Sequence, residues 1–162
     1  MATFGTFVAG QVLTAAELNT AGSWSTYTPT WTQSATITKT TNWARYTQLG
    51  KWVQGSIKMT ASSAGTANNK ILVGLPVNAS TNNFILGQYL YKFSGGEIYW
   101  GMQCLYESST TMAFKPLGSG SNEVRTNDKR FGENFTVGNT SVTGITVASG
   151  DIIWIQFAYE AA

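Results

Sequence analysis

Trp43-Ala44-Arg45-Tyr46-Thr47-Gln48-Leu49-Gly50-Lys51-Trp52-Val53-Gln54-Gly55-Ser56-Ile57-Lys58-Met59-Thr60 is the stretch that decides the fold class. Past Lys51 the residues alternate. Val53, Gly55, Ile57 and Met59 share one face and Trp52, Gln54, Ser56 and Lys58 the other, because successive side chains of a strand point to opposite sides. An apolar face backed by a polar one is the pattern of a half-buried antiparallel strand. Trp43 to Leu49 supplies a partner arm and Gly50-Lys51 a tight connection, so the segment predicts a β-hairpin.

The same period of two runs outward in both directions. Upstream, Tyr27 to Thr32 reads as an extended segment that Pro29 confines to an edge or a strand start, and Ala35 to Thr40 alternates with β-branched residues. Downstream, a small-residue loop over 62–69 leads to a short apolar strand from Lys70 to Leu75 that stops at Pro76. Phe84 to Phe93 and Ile98 to Tyr106 predict two aromatic strands joined by Ser94-Gly95-Gly96-Glu97, and Thr110 to Lys115 a further one. Residues 117–130 form the longest irregular stretch, followed by predicted strands over 134–137, 141–147 and 151–160. Many short strands with turn signals between them predict an all-β, antiparallel β-sandwich or jelly roll over residues 23–162.

The last of these strands is apolar on both faces. Ile153, Ile155, Phe157 and Tyr159 alternate with Ile152, Trp154, Gln156 and Ala158. Burial on both sides within one chain is one explanation; a subunit interface on the Ile153, Ile155, Phe157, Tyr159 face is the other, and is the expectation adopted because most strands of a sandwich this size show a polar face.

Ahead of the β-region, residues 1–22 form a separate expected segment. Thr14 followed by Glu17 is a capping box, and Leu13 and Leu18 stand where a hydrophobic staple packs. The helical turn they specify is too short to be stable alone. It therefore predicts an anchor that docks elsewhere, with Phe4, Phe7, Val8, Leu13 and Leu18 as apolar contacts and Thr14 and Glu17 as the cap. The flank of the chain's own sandwich is the alternative seat.

Composition narrows the chemistry. Charged residues make up 11% of the 162 residues, against roughly 25% in ordinary soluble domains. A polar but uncharged surface packs against another surface without the cost of desolvating ions. The net charge of +2 gives no field to steer nucleic acid, and the one basic cluster, Arg125 to Arg130, contains Asp128 and reads as a solvated loop. No signal peptide is expected at the start, and the longest apolar run, Ile152-Ile153-Trp154-Ile155, has strand length, so no membrane insertion is expected. The single Cys104 excludes an intrachain disulfide and predicts a buried structural thiol.

The sequence has no histidine, which removes Ser-His-Asp and Cys-His catalysis and imidazole zinc sites. Glu97 and Glu107 flank one predicted strand and cannot meet, since ten extended residues span about 33 Å. Asp151 follows Gly150 in a tight turn that an Asx-turn explains. Gly118-Ser119-Gly120-Ser121 lacks the Lys-Ser/Thr sequel of a phosphate loop. The reading is a non-enzyme with no cofactor and no metal. Tyr89, Tyr91, Tyr99 and Trp100, close to the 94–97 turn and to Gln88, Gln103 and Asn82, are candidates for glycan binding, which pairs aromatic faces with amides; core packing is their alternative role.

Three phrases carry a resemblance. Phe7-Val8-Ala9-Gly10-Gln11-Val12-Leu13-Thr14-Ala15-Ala16-Glu17-Leu18-Asn19 resembles the opening of many bacteriophage tail and particle-surface proteins. Tyr27 to Thr32 with Ala44 to Val53 and Ile71 to Pro76 resembles their first strands, and Ala148 to Asp151 leading to Ala158-Tyr159-Glu160-Ala161 their closing strand. The resemblance covers both ends and the first half of the chain and does not extend to residues 80–140. It implies a virion protein made in the cytoplasm of the bacterial host: a homotrimeric jelly-roll knob joined to other capsid or tail proteins, either as capsid decoration or as a minor tail protein. A tail-associated receptor-binding head that recognises a host surface glycan is the alternative. No collagen-like repeat or coiled coil follows the N-terminal phrase, which favours a compact knob over an extended fibre.

Overall fold

The computed structural model describes residues 22–66, 69–80, 85–96, 98–116 and 146–162, together with residues 10, 12, 14 and 15; for 86, 98–103, 115 and 116 it describes the backbone. Ten strands follow in chain order: β1 (Ser25–Thr26), β2 (Trp31–Gln33), β3 (Ala35–Thr36), β4 (Lys39–Leu49), β5 (Trp52–Ala61), β6 (Leu72–Gly74), β7 (Leu86–Lys92), β8 (Ile98–Ser108), β9 (Thr111–Pro116) and β10 (Ile152–Glu160). Every pairing between them is antiparallel. The all-β expectation is met.

The hairpin that opens the sequence reading is β4–β5. Leu49 pairs with Trp52 across Gly50-Lys51. Gly50 takes φ +58 and Lys51 a negative φ, the sign pattern of a two-residue II′ turn, whose twist matches that of the flanking strands. Val53, Ile57 and Met59 are fully buried, while Trp52 and Gln54 face solvent, as the alternation requires.

The hydrogen-bonded order is β1-β4-β5-β10-β7-β8-β9-β6-β2-β3. Three of its pairs are nested about the β7–β8 turn: β7 with β8, β6 with β9, and β5 with β10. β3 stands at one end of the order, yet only Ile37 and Thr38 separate it from β4 near the other. The Ile37 N–H donates to Trp31 O at 2.8 Å and the Ser62 N–H to Thr38 O at 2.7 Å, tying the two ends together. The ladder therefore wraps around its own apolar face. Trp31 of β2, Ile57 of β5, Tyr91 of β7, Met112 of β9 and Ile155 of β10 all belong to one core.

Gln33 is a polar member of that interior. Its Oε1 accepts the Val147 N–H at 3.0 Å and its Nε2 donates to Asn69 O at 3.2 Å, while its backbone carbonyl accepts the Thr66 N–H. A fully buried amide so satisfied pins two loops to β2 without an orphaned donor or acceptor.

β10 runs through the middle of the ladder, between β5 and β7. That position corrects the expected subunit interface. Ile153, Ile155, Phe157 and Tyr159 are between 1% and 4% exposed within the single chain, because a central strand turns one alternate face into its own core. Tyr159 is also held by hydrogen bonding, its hydroxyl donating to Val77 O at 2.6 Å. These four side chains present no surface to another subunit.

The close pairing of β10 with β7 rests on Gly87, which stands opposite Phe157. A Cβ there would run into Gln156 O and would lie 3.0 Å from Phe157 Cα and 3.2 Å from Cys104 Sγ. Two of those obstacles are backbone of the central strand, which cannot swing aside. Gly87→Ala is expected to cost about 2–3 kcal/mol, read as a lower midpoint in urea with an unchanged m-value. An unchanged midpoint would show that the strands can part at this point without loss.

Of the expected anchor, Phe4, Phe7, Val8, Leu13, Glu17 and Leu18 lie outside the described residues, and Thr14 is exposed.

Candidate functional site

Strand alternation, continued from β5 to its neighbours, builds the outer face of the sheet. Register places Trp43 opposite Lys58 and Lys58 opposite Trp154, so these three form one row across β4, β5 and β10. The Lys58 ammonium lies 5.1 Å from the Trp43 ring centre and 4.6 Å from that of Trp154. A cation between two indoles fixes both rings by attraction to their faces. The Trp43 Nε1–H donates to Ser56 Oγ at 3.2 Å, which links this row to the next.

That next row is Arg45, Ser56, Gln156 and Gln88, again in direct register across β4, β5, β10 and β7. Trp24, just ahead of β1, lies over the Arg45 guanidinium at 5.0 Å. The small side chains of Ser56 and Ala158 leave a depression between them. The resulting groove has a volume of about 520 Å³ and is lined by Trp24, Arg45, Gln54, Ser56, Gln88 and Gln156, with Ala158 and the backbone at Gly55, Gly87 and Phe157.

The face is unusual in its tryptophans. Trp24, Trp43 and Trp52 are 41–50% exposed, and Trp154 beside them is half-buried. Three rings that open to water on one side of a sheet form an aromatic surface whose neighbours are amides and hydroxyls. Three glutamines in one groove offer donors and acceptors together, and Arg45 adds a fork of donors.

The glycan candidates fare differently. Tyr89 and Tyr91 are 3% and 0% exposed, since their positions on β7 turn inward. The Tyr89 ring packs on Phe114 at 4.2 Å between centres, and the Tyr91 hydroxyl donates to Asp151 Oδ2 at 2.5 Å. Burial pushes the hydroxyls of both well above the ordinary tyrosine value, with Asp151 adding to the effect at Tyr91. Both rings are therefore core, not binding surface. Tyr99, Trp100 and Gln103 belong to β8, and their side chains lie outside the described part, as does Asn82. Gln88, named as their companion, is the one that lines the groove.

Trp24, Arg45, Gln54, Ser56 and Gln156 carry no signal as a group in one dimension. The trace was the even-numbered face of Trp52 to Lys58 and the odd use of Trp154 and Gln156 on an apolar strand, both of which read as an ordinary solvent face until the register is known.

Two of the described carboxylates, Asp151 and Glu107, are occupied structurally. Asp151 is fully buried: Oδ1 accepts the Ser94 N–H at 2.8 Å, and Oδ2 accepts the Ala148 N–H at 2.8 Å besides the Tyr91 hydroxyl. It is more than a local turn residue, since it joins two turns at the same end of the sheet. Glu107 pairs with Lys70 Nζ at 2.8 and 3.0 Å. Among the described residues no three of His, Cys, Asp and Glu gather as metal ligands, and no helix is long and apolar enough to cross a membrane. Cys104 is buried on β8, and burial raises its thiol to about 12.

Compared with known protein families, characterised proteins and solved structures, the chain matches none.

Proposed function

We propose that this chain is a non-catalytic surface protein of a bacteriophage particle whose β-domain binds host-surface carbohydrate in the groove beside Trp24. The observation that carries the binding reading is the groove itself: an exposed indole wall, an amide and hydroxyl floor, and no core residue in need of the rings. A pyranose presents an apolar C–H face to an indole and hydroxyls to amides, and the preformed groove supplies both at once. The particle reading rests on the resemblance of the N-terminal phrase and of the first and last strands to phage tail and particle-surface proteins.

The same reading takes the ladder as a jelly roll. Nested pairs β5–β10, β6–β9 and β7–β8 are what one long hairpin yields when it is rolled up, and this supports that topology. The homotrimer, the capsid or tail as seat, and residues 1–22 as the docking end belong to the proposal. Any intersubunit contact must use surfaces other than the buried face of β10.

A glycan array probed with the purified full chain tests the binding. We expect selective binding to bacterial surface saccharides, and a loss of about tenfold or more for Trp24→Ala with the thermal midpoint unchanged, since Trp24 is half exposed and outside the core. Silence across the array while the protein still joins particles normally would leave a purely structural role. A change of oligomeric state in Trp24→Ala, with no change in binding, would instead mark the face as a contact between copies.

A further inference from the structure

Counted over its described lining, the groove carries charge of one sign. Among the described residues Arg45 is the only charged one that lines it, and Lys58 holds the adjoining row. The described acids lie elsewhere or are engaged: Asp151 is buried, Glu107 is paired with Lys70, and Glu160 sits at the far end of β10 opposite Trp52. Arg45 makes no salt bridge among the described residues; its Cζ lies over the Trp24 ring, 5.0 Å from the ring centre. A guanidinium carries five N–H donors, and with no carboxylate paired to it among the described residues its edges are available to a ligand. A neutral sugar would use the Trp24 wall and the glutamines, and would leave those edges to water.

Resting on the carbohydrate reading above, we propose that the groove selects an anionic saccharide, with its carboxylate or phosphate on the Arg45 guanidinium while the sugar packs against the part of Trp24 that Arg45 leaves exposed. Planar guanidinium donors match two oxygens of either acid group. The three groove glutamines then read hydroxyls, and Lys58 adds long-range attraction without reaching the groove. The charge complementarity is local. A net charge of +2 for the whole chain steers anions only weakly, so the preference is set by Arg45 and not by the overall field.

The test is binding of matched oligosaccharides to the full chain by calorimetry: a neutral hexose oligomer, its uronic-acid counterpart, its phosphorylated counterpart, and a single-stranded oligonucleotide of similar charge. We expect an acidic saccharide to bind roughly tenfold or more tighter than the neutral one at low salt. Arg45→Gln should abolish that preference, so that acidic and neutral oligomers bind the variant equally, and Arg45→Lys should restore only part of it, because an ammonium lacks the fork. Which acid binds better separates a carboxylate ligand from a phosphate one. Equal affinity for neutral and acidic oligomers overturns the anionic inference and leaves the carbohydrate reading standing. No binding to any saccharide overturns both. Oligonucleotide binding as tight as that of the acidic saccharide overturns the saccharide assignment. Circular dichroism and the thermal midpoint of both Arg45 variants establish that they are folded.

Discussion

Taken from pH 8 to pH 11, the protein is expected to lose on the order of 5 kcal/mol of stability, as much as the entire margin of many domains. The cause is the aromatic core. Burial pushes the hydroxyls of Tyr89 and Tyr91 well above the ordinary tyrosine value near 10, and that of Tyr159 up to about 12. At Tyr159 the Val77 N–H, which the hydroxyl accepts, pulls the other way without cancelling the effect. Between pH 10 and the raised values, the unfolded chain has released these protons and the folded chain still holds them. The unfolded state then binds fewer protons, so stability falls as pH rises. Each such tyrosine contributes on the order of 1 kcal/mol at one unit above its ordinary value. Tyr27, raised mainly by burial, and Cys104, pushed up to about 12, act in the same direction. Below about pH 8 none of these groups makes stability depend on pH. Urea titrations at pH 8, 10 and 11 check this: the midpoint should fall steeply between pH 8 and pH 11 while the m-value holds. A midpoint that stays the same across that range would count against it.

Asp151→Ala is expected to destabilise the fold by about 4 kcal/mol. The carboxylate accepts from the Tyr91 hydroxyl, the Ser94 N–H and the Ala148 N–H, and it is fully buried. Hydrogen bonds to a charged acceptor are worth more than neutral ones, and their loss here strands the Tyr91 hydroxyl within the core. The damage reaches past one side chain. The Asp151 backbone is part of the same corner, its carbonyl accepting the Ala61 N–H while Gly150 N–H donates to Ala61 O. Two turns and the end of β5 therefore meet at this residue. Tyr91→Phe should cost less, because two donors remain on the carboxylate. The double variant should cost less than the two single losses together, since a phenylalanine in place of Tyr91 carries no hydroxyl to strand. Chemical denaturation of the three variants measures this; strictly additive losses would show that Asp151 and Tyr91 act independently.

The two residues of that contact show how far the sequence could be read. Asp151 after Gly150 is legible as a turn residue, because an Asx-turn is a local arrangement. That its carboxylate also reaches Ser94 and Tyr91 is not legible, because the partner turn lies in another hairpin and meets it only through the β7–β10 pairing. Tyr91 fails for the same reason: an aromatic near a glycine-rich turn fits a binding loop or a core equally well until the inward face of β7 is known. The groove residues are the sharper case. Arg45, Ser56, Gln156 and Gln88 come from β4, β5, β10 and β7, and only the register makes them a row.

The all-β class, the β4–β5 and β7–β8 hairpins and the inward face of β5 follow from the order of residues alone. These depend on a period of two and on turn residues, which are properties of neighbours along the chain. The tertiary structure decided that β10 is a central strand whose apolar face closes the chain's own core, and that the tryptophans and glutamines of the outer face converge on one groove. Strand order and register join residues far apart in the chain, and the pattern within any one strand is the same whichever neighbour it pairs with.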